Sequence, residues 1–289
     1  MSRFVAAVVQ MRTGMDPERN AADFEAGVRQ AAAKGAAYIQ TPEMTGALVR
    51  DRKTLMEVLR SEEDDPVFAA ARRLAGELGV TIHVGSTPVA LPGGKVANRA
   101  CLVGPDGAPI ATYDKIHMFD VDLDNGESWR ESATYEPGRR SVVVDTPQAR
   151  MGLAICYDLR FPHLFRGQAL AGAEVLTVPA AFTRQTGEAH WHSLLRARAI
   201  ENGAWLVAAA QGGRHEDGRE TYGHSLIVDP WGRIAAELAH DEPGVAVAEI
   251  DGDAVRAARA KIPNLKNMRD FDLEIVEAGQ TATGRRAAS

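Results

Sequence analysis

Three side chains in this sequence could together break an amide bond: Glu43, Lys115 and Cys156. A thiol becomes a nucleophile once a base takes its proton, and a carboxylate can be that base. A fixed ammonium can stabilise the oxyanion that forms when a carbonyl carbon is attacked. Nucleophile, base and cation are the parts that acyl transfer needs. Each has a plain alternative. Cys156 could be a small buried hydrophobe, as Cys101 in its apolar run is expected to be. Lys115 could be a solvated surface charge, and Glu43 a surface carboxylate or the cap of a helix. What sets Cys156 apart is the segment Tyr157-Asp158-Leu159-Arg160-Phe161-Pro162 that follows it. A cysteine at a sharp strand-to-helix turn has an exposed sulfur and free backbone N–H groups beside it.

Each of the three lies at or just past the end of an apolar run that reads as a buried strand: 37–40, 109–113 and 151–156. Active sites of open α/β sheets gather at strand ends. The three residues are too far apart for a local motif, so only the fold can bring them together. The first strand is expected at 4–10, followed by a helix with Asp16 as N-cap and Pro17 at its first position, ended by Gly35. A helix around 65–78 precedes a strand at 81–86, and strands at 96–103 and 109–113 flank the turn Gly104-Pro105-Asp106-Gly107. The stretch 116–140 is long and polar without clear periodicity, and loops of that length are usually functional. Strands at 141–145 and 151–156 come next, then short buried strands at 175–179, 205–209, 225–229 and 245–250. Helices are expected at about 187–203 and 251–261, and a small, polar, flexible tail from 276 to 289. Neither an internal repeat nor a flexible linker divides the chain, which fits one α/β domain over 1–275 with more than one sheet.

Composition narrows the function. The 289 residues are 45% hydrophobic, enough for a large core. Net charge is −6 with no basic stripe, so nucleic acid is not an expected partner. No run of about 18 apolar residues suggests a membrane span. Two cysteines are too few for a secreted disulfide scaffold, which places the chain in the cytoplasm.

The blocks Thr41-Pro42-Glu43, Tyr113-Asp114-Lys115-Ile116-His117 and Ile155-Cys156-Tyr157-Asp158-Leu159-Arg160-Phe161-Pro162 resemble the three signatures of the nitrilase superfamily of carbon–nitrogen hydrolases, in order and at about the family's spacing. The resemblance runs over residues 4–272 and continues through Gly187-Glu188-Ala189-His190-Trp191, Tyr222-Gly223-His224-Ser225 and Asp229-Pro230-Trp231-Gly232. It implies a four-layer α-β-β-α sandwich, assembled as a homodimer or higher even-numbered oligomer through an outer helical layer. It also implies roles: Cys156 as nucleophile through a thioester, Glu43 as base, and Lys115 with the Tyr157 N–H at the oxyanion. No cofactor or metal is expected, since no step of such a mechanism needs a metal and the sequence offers no coherent metal cluster. A second glutamate of the family matches Glu131, with Glu127 as the competing candidate. Arg160, Phe182 and Thr183 are the substrate-binding candidates. Arg160 would either grip a substrate carboxylate or form a structural ion pair with Asp158 or another acid. Arg196, Arg198 and Glu201 read as a structural charge network, and His190, His192 and His224 as candidates for the pocket wall. Cys156-Tyr157-Asp158 departs from the Cys-Trp-Glu of classical nitrilases and points to the amidases. The segments 208–215 and 222–225 look most like the deaminated-glutathione amidase and omega-amidase branch. The implied activity is hydrolysis of the carboxamide of a small acidic substrate to carboxylate and ammonia. An N-carbamoyl hydrolase and a catalytically silent binding subunit are the alternatives.

Overall fold

The computed structural model describes residues 3–123, 126 and 128–276. Its first half holds β1 (Phe4–Gln10), α1 (Pro17–Ala33), β2 (Tyr38–Gln40), α2 (Arg52–Val58), α3 (Pro66–Leu78), β3 (Thr81–Leu91), β4 (Lys95–Val103) and β5 (Pro109–Asp114). A hairpin of β6 (Asp120–Asp122) and β7 (Ser128–Arg130) leads to β8 (Val142–Asp145), β9 (Arg150–Leu153), α4 (Pro162–Leu170), β10 (Val175–Thr177), α5 (Arg184–Asn202) and β11 (Trp205–Ala208). A second hairpin, β12 (Gly212–Arg214) and β13 (Glu220–Tyr222), is followed by β14 (Leu226–Val228), β15 (Ile234–Glu237), β16 (Gly244–Ile250) and α6 (Gly252–Lys261).

Two six-stranded sheets result, ordered β16-β1-β2-β3-β4-β5 and β15-β14-β11-β10-β9-β8. The two sheets share a pairing pattern. β1, β2 and β3 run parallel, as do β9, β10 and β11, and antiparallel strands flank each trio. No sequence repeat announces this kinship. Strand side chains alternate between faces, and the alternation builds the layers. Ala6 and Val8 pack between the sheets with Tyr38, Val175, Val207 and Ile227. Their neighbours Ala7 and Val9 face Phe24, Val28, Phe68 and Leu74 of α1 and α3 on one outer side. Leu206 and Ala208 face Leu164, Trp191 and Leu195 of α4 and α5 on the other. The order is therefore α-β-β-α, as the resemblance implies. A bridge between Met11 and Gln211 brings the carboxyl ends of β1 and β11, one from each sheet, together.

The caps follow the sequence. Asp16 accepts from the N–H groups of Glu18 and Arg19 with Pro17 at the start of α1, and Asp65 does the same for α3. Three expectations need correction. The stretch 116–140 is not structureless: it contains the β6–β7 hairpin and a 3-10 turn at Glu131–Ala133, whose three-residue strands are too short to show a period. The cysteine strand ends at Leu153, and Cys156 opens a 3-10 turn, Cys156–Arg160. The helix expected from 187 starts at Arg184, because the Thr183 side chain caps it by accepting from the Thr186 N–H. The tail from Glu277 lies outside the described residues. No helix among the described residues is long and apolar enough to cross a membrane.

Candidate active site

The ends of β2, β5 and β9 converge on one cavity of about 230 Å³, and Glu43, Lys115 and Cys156 line it together. Chain direction explains the meeting. β2 and β9 are parallel strands of different sheets, each continuing past its carboxyl end into a turn that holds a reactive side chain.

Lys115 is 2% exposed, and its Nζ donates to Glu43 Oε1 at 2.9 Å and to Glu131 at 3.0 and 2.8 Å. A buried ammonium is costly unless it is paired and hydrogen-bonded, and two carboxylates meet that demand. Burial alone would lower the Lys115 pKa, but the charges of Glu131 and Glu43 outweigh it and hold it well above the ordinary range. Glu43 is 4% exposed. Its Oε1 also accepts from Asn98 Nδ2 at 2.8 Å, and its Oε2 from the Ala181 N–H at 2.9 Å. Burial pushes the Glu43 carboxyl up; Lys115 and the hydrogen bonds from Cys156, Lys115 and Asn98 pull it below the usual carboxylate range. Glu131 is held in turn by the Phe119 N–H at 2.6 Å. The competing Glu127 lies outside the described residues.

Cys156 has φ +50, a left-handed conformation that costs a non-glycine residue about 1–3 kcal/mol and is found where surrounding structure over-determines it. Two contacts impose it. The Cys156 N–H donates to the Pro179 carbonyl at 2.9 Å, and the Ile155 N–H to Asp158 Oδ2 at 2.9 Å. Burial, and repulsion by the Glu43 carboxylate, push the Cys156 thiol well above its ordinary range. The resting pair is therefore thiol and carboxylate. Cys101, buried in the other outer core, is pushed up to about 12 by burial and lies outside the cavity.

Tyr157, Arg160, Phe182 and Thr183 all line the cavity. The ion pair between Arg160 and Asp158 does not form. Asp158 is spent on Tyr113, His117 and Ile155. Arg160 instead lies over the rings of Phe182 and Tyr157, at 5.4 and 5.9 Å, and contacts His190 at 3.3 Å. The three histidines are not cavity-lining: His190 meets Arg160, His192 pairs with Glu237 at 2.6 Å, and His224 stacks on Tyr222. Arg198 pairs with Glu201 at 3.0 Å and donates to the Leu159 carbonyl, and Arg196 donates to the Gly232 carbonyl, as a structural network would. Sequence reasoning missed Asn98, Asp158 in its holding role, and the cavity residues Arg50, Trp129 and Arg219. Asn98 had a signal, as a polar residue inside the apolar run of β4.

The family model for carbon-nitrogen hydrolases matches residues 5–260. A deaminated glutathione amidase of Synechocystis sp. is 38% identical over 92% of this chain and 98% of its own length. That of Yersinia enterocolitica is 40% identical over 91% of this chain and 92% of its own. Among solved structures, the NitFhit protein of C. elegans superposes with a TM-score of 0.85 at 33% identity, over 93% of this chain. The match takes in 66% of NitFhit, just under two thirds of that chain. The family match over most of its length makes this chain a member of the carbon-nitrogen hydrolases.

Proposed function

We propose that this hydrolase is a cysteine amidase acting on a small acidic amide of the deaminated-glutathione type, with Cys156 as nucleophile, Glu43 as base and Lys115 as cation. The observation that carries the roles is the Glu43 carboxylate, held by hydrogen bonds from Lys115 and Asn98 in the same cavity that Cys156 lines. Relatives over nine-tenths of the chain carry the deaminated glutathione amidase name, which supports the substrate class.

Glu43 takes the thiol proton as sulfur attacks the amide carbon. Negative charge moves to the carbonyl oxygen, where Lys115 and the Tyr157 N–H receive it; losing one such donor typically costs about 3–4 kcal/mol of barrier. Glu43, now protonated, gives its proton to the nitrogen as the carbon–nitrogen bond breaks. A primary amide releases ammonia. Deaminated glutathione, an N-substituted amide, would release its dipeptide half as the free amine. Water, deprotonated by Glu43, then cleaves the thioester and restores the thiol. Glu131 positions Lys115 and shares its charge.

The same reading makes residues 1–275 one catalytic domain in the cytoplasm, which two free, buried cysteines suit. It also makes the protein a homodimer. Ile200 on the outer helix α5, and Trp231 and Ile234 near it, are 49%, 47% and 40% exposed, an apolar surface that a second copy would cover.

The deciding experiment follows 2-oxoglutarate release from deaminated glutathione and from 2-oxoglutaramate. Turnover of either by the wild type, lost in Cys156→Ala, supports the reading. A wild-type protein inert towards both and towards a panel of simpler amides would overturn it.

A further inference from the structure

Charge inside the cavity is unevenly matched. Lys115 is shared by Glu43 and Glu131, Arg130 pairs with Asp122 at 2.9 Å, and Arg219 with Asp217 at 2.9 Å. Glu220, also on the wall, pairs with Arg184 at 3.7 Å. Two guanidinium groups remain, Arg50 and Arg160, and neither forms an ion pair among the described residues. They rest on different aromatic surfaces. Arg160 is half-buried over Phe182 and Tyr157, one turn from Cys156. Arg50 is exposed and lies 4.5 Å from the centre of the Trp129 ring, which also carries Arg219 at 4.9 Å. Arg160, the more buried of the two, stands on the cysteine turn, and Arg50 is exposed at the mouth.

We infer that the mouth of the cavity is a second carboxylate subsite, built from Arg50 on the Trp129 ring with Arg219 beside it, for the charge on the leaving-amine side of the substrate. The inference rests on the amidase reading above and narrows it: the substrate class is an amide with a carboxylate on each side of the scissile bond. An arginine lying over an aromatic face spends its planar surface on the ring and keeps its edge donors for a carboxylate fork. Arg219, already paired with Asp217, adds bulk to the shelf and little net charge. The deeper Arg160 suits the short acyl half, whose charge lies close to the attacked carbon, and the exposed Arg50 suits the longer amine half. Trp129 stands two residues before Glu131 on the segment that holds Lys115, so a ligand seated at the mouth also braces the wall carrying that glutamate.

The test uses three amides with one acyl half: deaminated glutathione, its glycine methyl ester, and bare 2-oxoglutaramate. All three give 2-oxoglutarate, so one assay reads them. The wild type is expected to favour the acid over the ester by about fivefold in kcat/KM, chiefly through KM, the size of one partly exposed ion pair. Arg50→Ala is expected to bring that ratio close to one at unchanged melting temperature, with Arg50→Lys in between because lysine lacks the fork. A wild-type ratio near one, or a ratio that survives Arg50→Ala, overturns the subsite while the amidase reading stands. A wild type that turns over none of the three overturns the amidase reading, and the subsite with it.

Discussion

The hydroxyl of Tyr113 donates to Asp158 Oδ2 at 2.6 Å, across two of the chain's signature segments. The same oxygen accepts the Ile155 N–H at 2.9 Å, while Oδ1 accepts the His117 N–H at 3.1 Å and meets His117 Nδ1 at 2.6 Å. Asp158 is fully buried, two residues past Cys156; Tyr113 and His117 stand two residues either side of Lys115. One carboxylate thus ties the lysine strand end to the cysteine turn. It fixes the distance between cation and nucleophile without touching either.

Asp158→Asn is therefore expected to impair both stability and turnover. The amide keeps one acceptor and presents N–H groups where two donors already point, and an unmatched buried polar group costs about 1–3 kcal/mol. Tyr113→Phe should be milder, about 0.5–1.5 kcal/mol, because the remaining donors still satisfy Asp158. Melting temperatures and kcat for the two variants check this; a wild-type kcat and melting temperature in Asp158→Asn would remove the tie from the account.

The two cysteines separate chemistry from packing. Cys156→Ala is expected to abolish turnover with the fold intact. Cys101→Ala should keep kcat and lose about 1 kcal/mol of stability, the cost of a small core cavity. Mass spectrometry of denatured protein under turnover should find the acyl adduct on Cys156 alone. Equal inactivation of two folded variants would refute the assignment.

Much of this site was legible in the sequence because its chemistry is carried by residue types in short blocks. Glu43, Lys115 and Cys156 each follow a buried strand, and the strand positions themselves read from apolar runs. The first helix read equally well from its Asp16-Pro17 start. What escaped depends on contacts between distant segments. Asn98 is one polar residue in β4 whose purpose appears only once Glu43 lies 2.8 Å away. Two of the three partners of Asp158, Tyr113 and His117, come from the end of β5 and the residues just beyond it, so the sequence offered Arg160, its near neighbour, as its mate. Trp129 and Arg50 become a shelf only after the β6–β7 hairpin folds over the cavity, and three-residue strands leave no periodic trace.

Lys115 should also hold the site together electrostatically. Removing it leaves Glu43 and Glu131 facing each other as buried carboxylates, and breaking a buried pair of this kind costs about 3–5 kcal/mol. Lys115→Met is expected to lose activity and melt well below the wild type, and adding Glu131→Gln should restore part of the stability but none of the activity. The pH dependence has a definite sign. The folded-state pKa of Glu43 is lowered, so its contribution is present above the ordinary carboxylate range and lost as pH falls through its depressed value. That of Lys115 is raised, so its contribution is fully present below the ordinary lysine range and lost only as pH rises through the elevated value. Thermal melts across pH should show an acid limb that steepens less in Glu43→Gln than in the wild type. Identical acid limbs would contradict the depressed Glu43.

The last prediction concerns substrate charge at the deep end of the cavity. Arg160 forms no ion pair among the described residues and packs over Phe182 and Tyr157 beside the cysteine turn. Neutral amides need no cation beyond Lys115, which the oxyanion occupies. If Arg160 binds the acyl-side carboxylate, truncating it leaves that charge partly desolvated and unpaired, at a cost of about 2–5 kcal/mol. Arg160→Ala is expected to cut kcat/KM for 2-oxoglutaramate and deaminated glutathione alike, since both carry that carboxylate, and to affect a short uncharged amide far less. Arg160→Lys should recover only part of the loss, because an ammonium offers no bidentate fork. A structural arginine gives another pattern. Its removal would lower the melting temperature and depress charged and neutral substrates equally, since the Phe182 and Tyr157 packing would loosen for both. Measuring kcat/KM on the three substrates with melting temperatures alongside decides between them, and parallel losses with a lowered melting temperature would assign Arg160 to the scaffold.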